Sequence, residues 1–178
     1  MMASTSSSDG VSILHFEDQF IDMASIVHHL FLVVFSNVSS QDGNAVVRKD
    51  LVKNETGLRV YEFVTETRGR SFPLIRYVLT DSERMTDDLS PLLLQRRLFV
   101  LDAWRETDSG TKLRCNINET FQSIEGFYSE ISDVVIFSAY PGNSERIKGR
   151  QIPMELHKSS PEELQVYLAQ HVVGYLNQ

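Results

Sequence analysis

Few side chains in this sequence have the types and spacing that catalysis or metal binding requires. His28 and His29 are the most obvious metal ligands, but adjacent side chains on a helix point about 100° apart and cannot easily bind one ion. Asp22 lies seven residues before His29 and would share its helix face, and the sequence offers no evident third ligand. We therefore predict histidines at a helix surface or partly buried, and expect neither a metal site nor a cofactor.

The sequence also shows no reliable catalytic motif. Cys115 is the only cysteine and falls on the apolar face of a predicted strand, where thiols are usually inert. The Gly-x-Ser-x-Gly, His-Glu-x-x-His and Walker-type motifs do not occur. Four carboxylates in the middle of the chain are expected on solvated faces: Glu62, Glu66, Asp102 and Glu106. The sequence predicts no catalytic residue and no small-molecule substrate, although a small enzyme with an unrecognised site remains a third hypothesis.

Basic and aromatic side chains are the better candidates for binding. Five basic residues could contact RNA phosphates or acidic lipid if folding gathers them on one face: Arg96, Arg97, Arg146, Lys148 and Arg150. Each of them alone is typical of a solvated surface charge. Trp104, the only tryptophan, is expected in the core by default but would anchor a partner if exposed, and Tyr140 is a second candidate for partner binding.

Composition places the chain among ordinary globular proteins. It has 178 residues, 42% of them hydrophobic and 23% charged, which suits one domain. Residues 1–10 are Ser-rich and are predicted to form a disordered tail, with residues 11–178 as a single domain. One cysteine cannot form an internal disulfide, which indicates an intracellular, reducing location. The longest apolar run, residues 30–35, is far shorter than the roughly 20 residues of a transmembrane segment.

Charge is unevenly distributed along the chain. The formal net charge is −7, and the 47 residues before Arg48 contain five acidic and no basic residues. An acidic N-terminal part argues against a polybasic arm for nucleic acid or membranes.

Apolar spacing predicts the elements of the first half. A helical stripe runs through Phe20, Met23, Ile26 or Val27, Leu30 and Val34. A short strand or lead-in precedes this helix, and residues 36–44 are predicted as a polar loop. Residues 46–51, 58–65 and 74–79 are predicted strands because β-branched and aromatic residues dominate them.

The second half predicts a hairpin followed by helices. Residues 98–105 and 112–118 flank a loop that contains Asp108-Ser109-Gly110, which favours an antiparallel hairpin. Helical spacing follows over residues 121–134, residues 134–137 are either helix or buried strand, and residues 151–157 are extended. Ser160, Pro161 and Glu163 predict the start of a C-terminal helix. The fold class is therefore α+β: a single domain whose antiparallel sheet carries N-terminal, central and C-terminal helices.

Residues 111–160 resemble the first half of the globular domain of rhabdovirus matrix proteins. The resemblance rests on an alternating strand (111–117), Phe121 near a helix start, and Ser132-Asp133-Val134 in that helix. A Tyr140-Pro141-Gly142 loop and a basic Gly/Pro stretch (148–153) before the last strand complete it.

The resemblance implies a non-enzymatic structural protein. Such a protein would self-associate, condense a nucleocapsid and contact the envelope membrane peripherally, in host cytoplasm or the virion. The alternative is a cytosolic adaptor that binds a protein partner through a helix face or an exposed strand edge.

Overall fold

The structure, a computed structural model, describes residues 10–42, 46–67, 70–107, 109–110 and 112–177. Residues 1–9 of the predicted tail and Gly43 and Asn44 of the first predicted loop lie outside them. The described residues form a single α+β domain with three helices, a seven-stranded mixed sheet and a two-stranded antiparallel sheet.

The main sheet is built around a central parallel core. Its strands are β1 (Val11–Phe16), β2 (Val46–Glu55), β3 (Leu58–Thr67), β4 (Arg70–Thr80), β5 (Arg96–Leu101), β8 (Val134–Ser138) and β9 (Met154–His157). They lie in the order β2-β3-β4-β1-β5-β8-β9. The pairs β4-β1, β1-β5, β5-β8 and β8-β9 are parallel. The pairs β2-β3 and β3-β4 are antiparallel and form a meander.

The predicted antiparallel sheet is therefore wrong for the larger part of the sheet. Every residue of β1 and of β8 is buried, because both faces of these strands are covered. Strands buried on both faces read as unbroken apolar runs, which is typical of parallel sheets. Strands that alternate apolar and polar residues have one solvated face, and this is the pattern of antiparallel hairpins.

Two hydrophobic cores cover the two faces of the sheet. Helices α1 (Ala24–Asp42) and α3 (Pro161–Leu176) pack on one face, where Ile26, Leu30 and Leu168 are buried against the strands. Helix α2 (Ile117–Ser123) and the surrounding loops cover the other face, with Phe121 fully buried. The apolar stripe predicted for the N-terminal helix is confirmed, and the predicted C-terminal helix is present as α3.

The predicted hairpin is shorter than expected. The first predicted strand divides at Asp102 and Ala103: β5 joins the main sheet, and only β6 (Trp104–Glu106) pairs with β7 (Leu113–Cys115). Strand β5 pairs with β1 and β8 in the main sheet, where its last four residues, 98–101, are buried. The expected core face of the second strand is also partly wrong, since Leu113 is 44% exposed.

Three other boundaries differ from the prediction. The central helix ends at Ser123, and residues 134–137 belong to strand β8, so the helix that the viral resemblance places at 132–134 is wrong; Ile131–Asp133 is a short 3-10 helix instead. Helix α1 continues to Asp42 through the first part of the predicted loop. Ser160 does precede α3, but its side chain makes no capping hydrogen bond; its carbonyl accepts one from the Glu163 N–H.

None of the helices in the described residues is long and apolar enough to span a membrane.

Candidate binding groove at the carboxyl ends of the parallel strands

The parallel strands end together at one edge of the sheet. The chain that leaves β1 re-enters the sheet at β2 and builds the meander β2-β3-β4 on one side of β1, whereas β5, β8 and β9 lie on the other side. A change of direction of this kind opens a crevice at the carboxyl ends of the strands, which is where open α/β sheets bind their ligands. The residues that immediately follow β1, β5, β8 and β9 therefore form the candidate site.

A buried ion triad occupies the floor of this crevice. The Lys158 Nζ lies 2.6 Å from Glu17 Oε2 and 3.0 Å from Asp102 Oδ2. Glu17 is fully buried and Asp102 nearly so, and Glu17 Oε1 also accepts a hydrogen bond from the Gln19 N–H at 3.1 Å. Removing one member would leave a buried charge without its partner, which is costly, so the triad ties together the ends of β1, β5 and β9.

The electrostatics of the triad are set by burial. The pKa of Glu17 is raised to about 7, first by burial and then by the Asp102 charge, while Lys158 opposes both. Burial lowers the pKa of Lys158, but the charges of Asp102 and Glu17 outweigh it and the net shift is upward. A carboxyl group that titrates near neutral pH could exchange protons. Both Glu17 oxygens are engaged, however, so the triad is better suited to hold charge than to transfer a proton.

A buried histidine lies close to the triad. His15 is on β1, two residues before Glu17, and its Nδ1 is 2.8 Å from the Tyr77 hydroxyl. Burial lowers the pKa of His15 to about 3, with smaller contributions from Lys158 and Arg105. His15 is therefore neutral at physiological pH. It packs in the core against Tyr77 and Phe137 rather than facing the crevice.

An aromatic wall stands beside the triad. The rings of Trp104 and Tyr140 meet edge to face, with centroids 5.4 Å apart and an interplanar angle of 64°. Trp104 Nε1 donates a hydrogen bond to Asn143 Oδ1 at 2.7 Å, which orients the indole. The Arg146 guanidinium lies 4.9 Å from the centre of the Trp104 ring, a cation–π contact.

The loop after β8 positions this wall. Gly142 has φ +76°, a left-handed conformation that glycine adopts without steric cost, and it turns the chain back after Tyr140. Asn143 is thereby buried, and its N–H donates to Glu155 Oε2 on β9 at 3.1 Å. The orientation of the aromatic wall thus depends on hydrogen bonds to the neighbouring strand.

Two cavities open between the triad and its neighbours. The larger, about 540 Å³ and here named the apolar cavity, is lined by Glu17, Gln19, Met23, Ala24, Ser25, Phe137, Lys158 and Pro161. The smaller, about 250 Å³ and here named the acidic notch, is lined by Asp18, Gln19, Asp102, Trp104, Glu106, Leu113, Ala139, Tyr140 and Lys158. Gln19 and Lys158 line both, so the two cavities are adjacent, and together they are named the carboxyl-end groove below.

The carboxylates of the groove also have the spacing of metal ligands. One oxygen each of Glu17, Asp18 and Asp102 lie within 4.8 Å of one another. The Lys158 ammonium already bridges two of these three carboxylates, so a metal ion would have to displace it.

The candidate residues from the sequence are only partly brought together. Trp104, Tyr140 and Arg146 meet at the groove. Arg96 and Arg97 lie at the start of β5, the opposite end of that strand, where Arg96 stacks on Tyr175 and Arg97 donates to the carbonyl oxygens of Leu94 and Phe127.

The other two basic candidates contact the region around α2. Arg150 forms an ion pair with Glu125 and lies over the Phe121 ring. Lys148 is exposed, and its backbone N–H donates to Asn118 Oδ1. The five basic residues therefore do not share one cluster of contacts.

Sequence reasoning missed Glu17, Asp18 and Lys158, and the solvated face expected for Asp102 is wrong, because Asp102 is buried. Glu17 and Lys158 follow directly after strands of the parallel core and Asp18 comes one residue later, and charged residues at such positions converge where parallel strands end together. For Glu17 and Asp18 the available signal was a largely apolar segment followed by two carboxylates, Ile-Leu-His-Phe-Glu-Asp at 13–18, whereas Met-Glu-Leu-His before Lys158 gives no such signal.

Comparison of the chain with protein-family models, with curated proteins and with solved structures found no match.

Proposed function

We propose that this chain is a non-enzymatic protein-interaction domain that binds a segment of a partner protein in the carboxyl-end groove. The observation that carries the proposal is the pairing of Trp104 with Tyr140 at the groove wall. Tyr140 is 46% exposed, and Trp104 is half-buried with its indole orientation held by Asn143. Rigid, partly exposed aromatic side chains beside a cavity are the usual anchors of protein interfaces.

The polar groups of the groove support binding rather than catalysis. A nucleophile is activated by a hydrogen bond from its hydroxyl or thiol to a histidine or carboxylate. Among the described residues that line the groove, no such hydrogen bond is present. His15 is buried away from the groove, and Cys115 lies on the small hairpin. Glu17, the carboxyl with the raised pKa, is held by Lys158.

Selection of peptides tests this function. A random peptide library displayed on phage would be selected on the full chain, and the enriched peptides would then be tested against Tyr140→Ser. The matched control is Leu32→Ser, since Leu32 on α1 is 47% exposed and lies outside the groove. Binding that is lost in Tyr140→Ser and kept in Leu32→Ser supports the proposal. Peptides that bind both variants equally well, or the absence of any enriched peptide, would overturn it.

A second candidate function is self-association through the edge strand β9. The Lys158 N–H donates to the Ser138 carbonyl of β8, so by alternation the N–H and C=O of Glu155 and the N–H of His157 point away from the sheet, whereas the His157 carbonyl accepts the Ser160 N–H. Ile152 and Met154 beside them are 59% and 55% exposed, whereas Leu156 is partly buried against the core. An exposed edge with apolar side chains is suited to pairing with a second copy.

This second function includes the structural role expected from the sequence. A lattice-forming protein of a virion, which contacts nucleocapsid and membrane, would use such an edge, and the rhabdovirus resemblance stays a prediction. Light scattering coupled to size-exclusion chromatography at low and at about 0.5 M salt tests it. Dimers or larger species that dissociate in Met154→Lys but persist in Val166→Lys, an exposed α3 control, support it. A monomer at every salt concentration contradicts it.

A further inference from the structure

We infer that the acidic notch binds a cationic side chain, so that the partner segment presents a lysine or arginine to it. This inference rests on the proposed function, because it names the chemistry of the segment that the groove would take. Three observations carry it: two exposed carboxylates at the notch that no described lysine or arginine pairs with, the wall formed by the Trp104 and Tyr140 rings, and the negative charge that remains after the internal ion pairs are counted.

The carboxylates of the groove fall into two sets. Glu17 and Asp102 are buried and share the Lys158 ammonium. Asp18 and Glu106 also lie at the groove, but both are exposed, and neither is in an ion pair with any described lysine or arginine. The internal cation thus serves the buried pair. Asp18 shares a hydrogen bond with the neighbouring Glu17 carboxyl, and neither exposed carboxylate is paired with a cation of the described residues.

The wall of the notch suits the same ligand. Trp104 and Tyr140 both line the notch, and the π faces of such rings attract a cation. Arg146 already makes this contact with Trp104 at 4.9 Å without lining the notch itself. The chain therefore contains an internal example of a guanidinium on this indole, while Tyr140 remains 46% exposed.

The alternative ligands fit less well. An anionic group would meet Asp18, Glu106 and Asp102, whereas the two nearby cations are already engaged, Lys158 with buried carboxylates and Arg146 with the Trp104 ring. A wholly apolar side chain would fit the adjoining apolar cavity, where Met23, Phe137 and Pro161 form the wall. The groove thus favours a segment with a basic residue in the notch and an apolar residue in the neighbouring cavity.

Trp104 provides a direct readout, because it is the only tryptophan and has a single indole N–H resonance. The full chain labelled with ¹⁵N would be titrated with Nα-acetyl-arginine amide and Nα-acetyl-lysine amide, and separately with the neutral analogue Nα-acetyl-norleucine amide. We expect the two basic compounds to shift the Trp104 resonance in a saturable manner and the norleucine compound to shift it little. Equal shifts with norleucine amide, or a response to Nα-acetyl-glutamate amide alone, would overturn the inference.

Removal of the charges completes the test. The double variant Asp18→Asn/Glu106→Gln should bind the basic compounds about fivefold more weakly. Asp87→Asn/Glu119→Gln, which neutralises exposed carboxylates outside the groove, should bind them as the parent does. Both changes are at exposed side chains, and thermal unfolding would confirm that each variant is folded. Unchanged affinity in Asp18→Asn/Glu106→Gln would overturn the inference.

The peptides from the phage selection separate the two proposals. If enriched peptides require Tyr140 but lack basic residues and bind Asp18→Asn/Glu106→Gln unchanged, the groove is a binding site and the cationic inference alone is wrong. If no peptide requires Tyr140, the proposed function itself is wrong.

Discussion

The ammonium of Lys158 lies 2.6 Å from the Oε2 atom of Glu17, although the two residues follow strands that are not neighbours. Glu17 follows β1 at the centre of the sheet, Lys158 follows the edge strand β9, and β5 and β8 lie between them. The long lysine side chain therefore crosses the carboxyl ends of the two strands between them and lines both the apolar cavity and the acidic notch.

Loss of Lys158 should destabilise the protein. Lys158→Met would leave Glu17 and Asp102 buried without a counter-charge, and we expect the free energy of unfolding at pH 7.5 to fall by about 2–3 kcal/mol. The measurement is urea unfolding followed by circular dichroism. Lys53→Met, which removes an exposed pair with Glu55, should change it by less than about 1 kcal/mol. Similar losses in both variants would show that the triad is not important for stability.

Glu17 should make the protein less stable as the pH rises. Its pKa is about 7 in the folded chain against 4.5 for the free side chain, so between these values the folded state binds more protons than the unfolded state. Glu17 therefore lowers the free energy of unfolding from pH 4.5 to 7, by of the order of 3 kcal/mol. Glu17→Gln should remove this decrease. Parallel pH profiles for the parent and this variant would contradict the prediction.

His15 should act in the opposite direction. Its pKa is about 3 when folded against 6.5 for the free side chain, so the unfolded state binds more protons between those values and stability falls as the pH decreases through that range. His15→Gln removes the titrating group, and the free energy of unfolding should then depend less on pH between 3 and 6.5, whatever its absolute value. Urea unfolding at four pH values in this range measures the slope, and a slope as steep as that of the parent would contradict it.

In the parent chain the two effects overlap between pH 4.5 and 6.5 and offset each other. We therefore expect a nearly flat stability profile over that interval. The Glu17→Gln profile should rise with pH there, and the His15→Gln profile should fall.

Gly57 should be intolerant of a side chain. It has φ +76° in the turn between β2 and β3, and an added Cβ would clash with the exposed Asp81 carboxylate unless that side chain shifted. We expect Gly57→Ala to lower the free energy of unfolding by about 1–3 kcal/mol. Gly126→Ala is the matched control, since Gly126 has a similar φ of +82° but open space around it. The difference between the two losses in urea unfolding measures the clash, and equal losses would mean that only the backbone conformation matters.

The sequence by itself determined the elements whose apolar pattern is local. The stripe from Met23 to Val34 predicts α1 because buried side chains recur every three to four residues on a helix that packs on a sheet. The strands around Val60 and Tyr77 were predicted for a similar reason, since β-branched and aromatic residues dominate them.

Tertiary structure decided the direction and partners of the central strands. Residues 134–137 fit a helix or a strand equally well in sequence, and they form β8 because β5 on one side and β9 on the other satisfy their backbone hydrogen bonds. The parallel order follows from helices on both faces of the sheet, which local patterns do not report. Only this order brings Glu17, Asp102 and Lys158 to one edge, and it also joins Trp104 to Tyr140. The elements could thus be predicted from neighbours along the chain, whereas the groove depends on contacts between residues that are far apart in sequence.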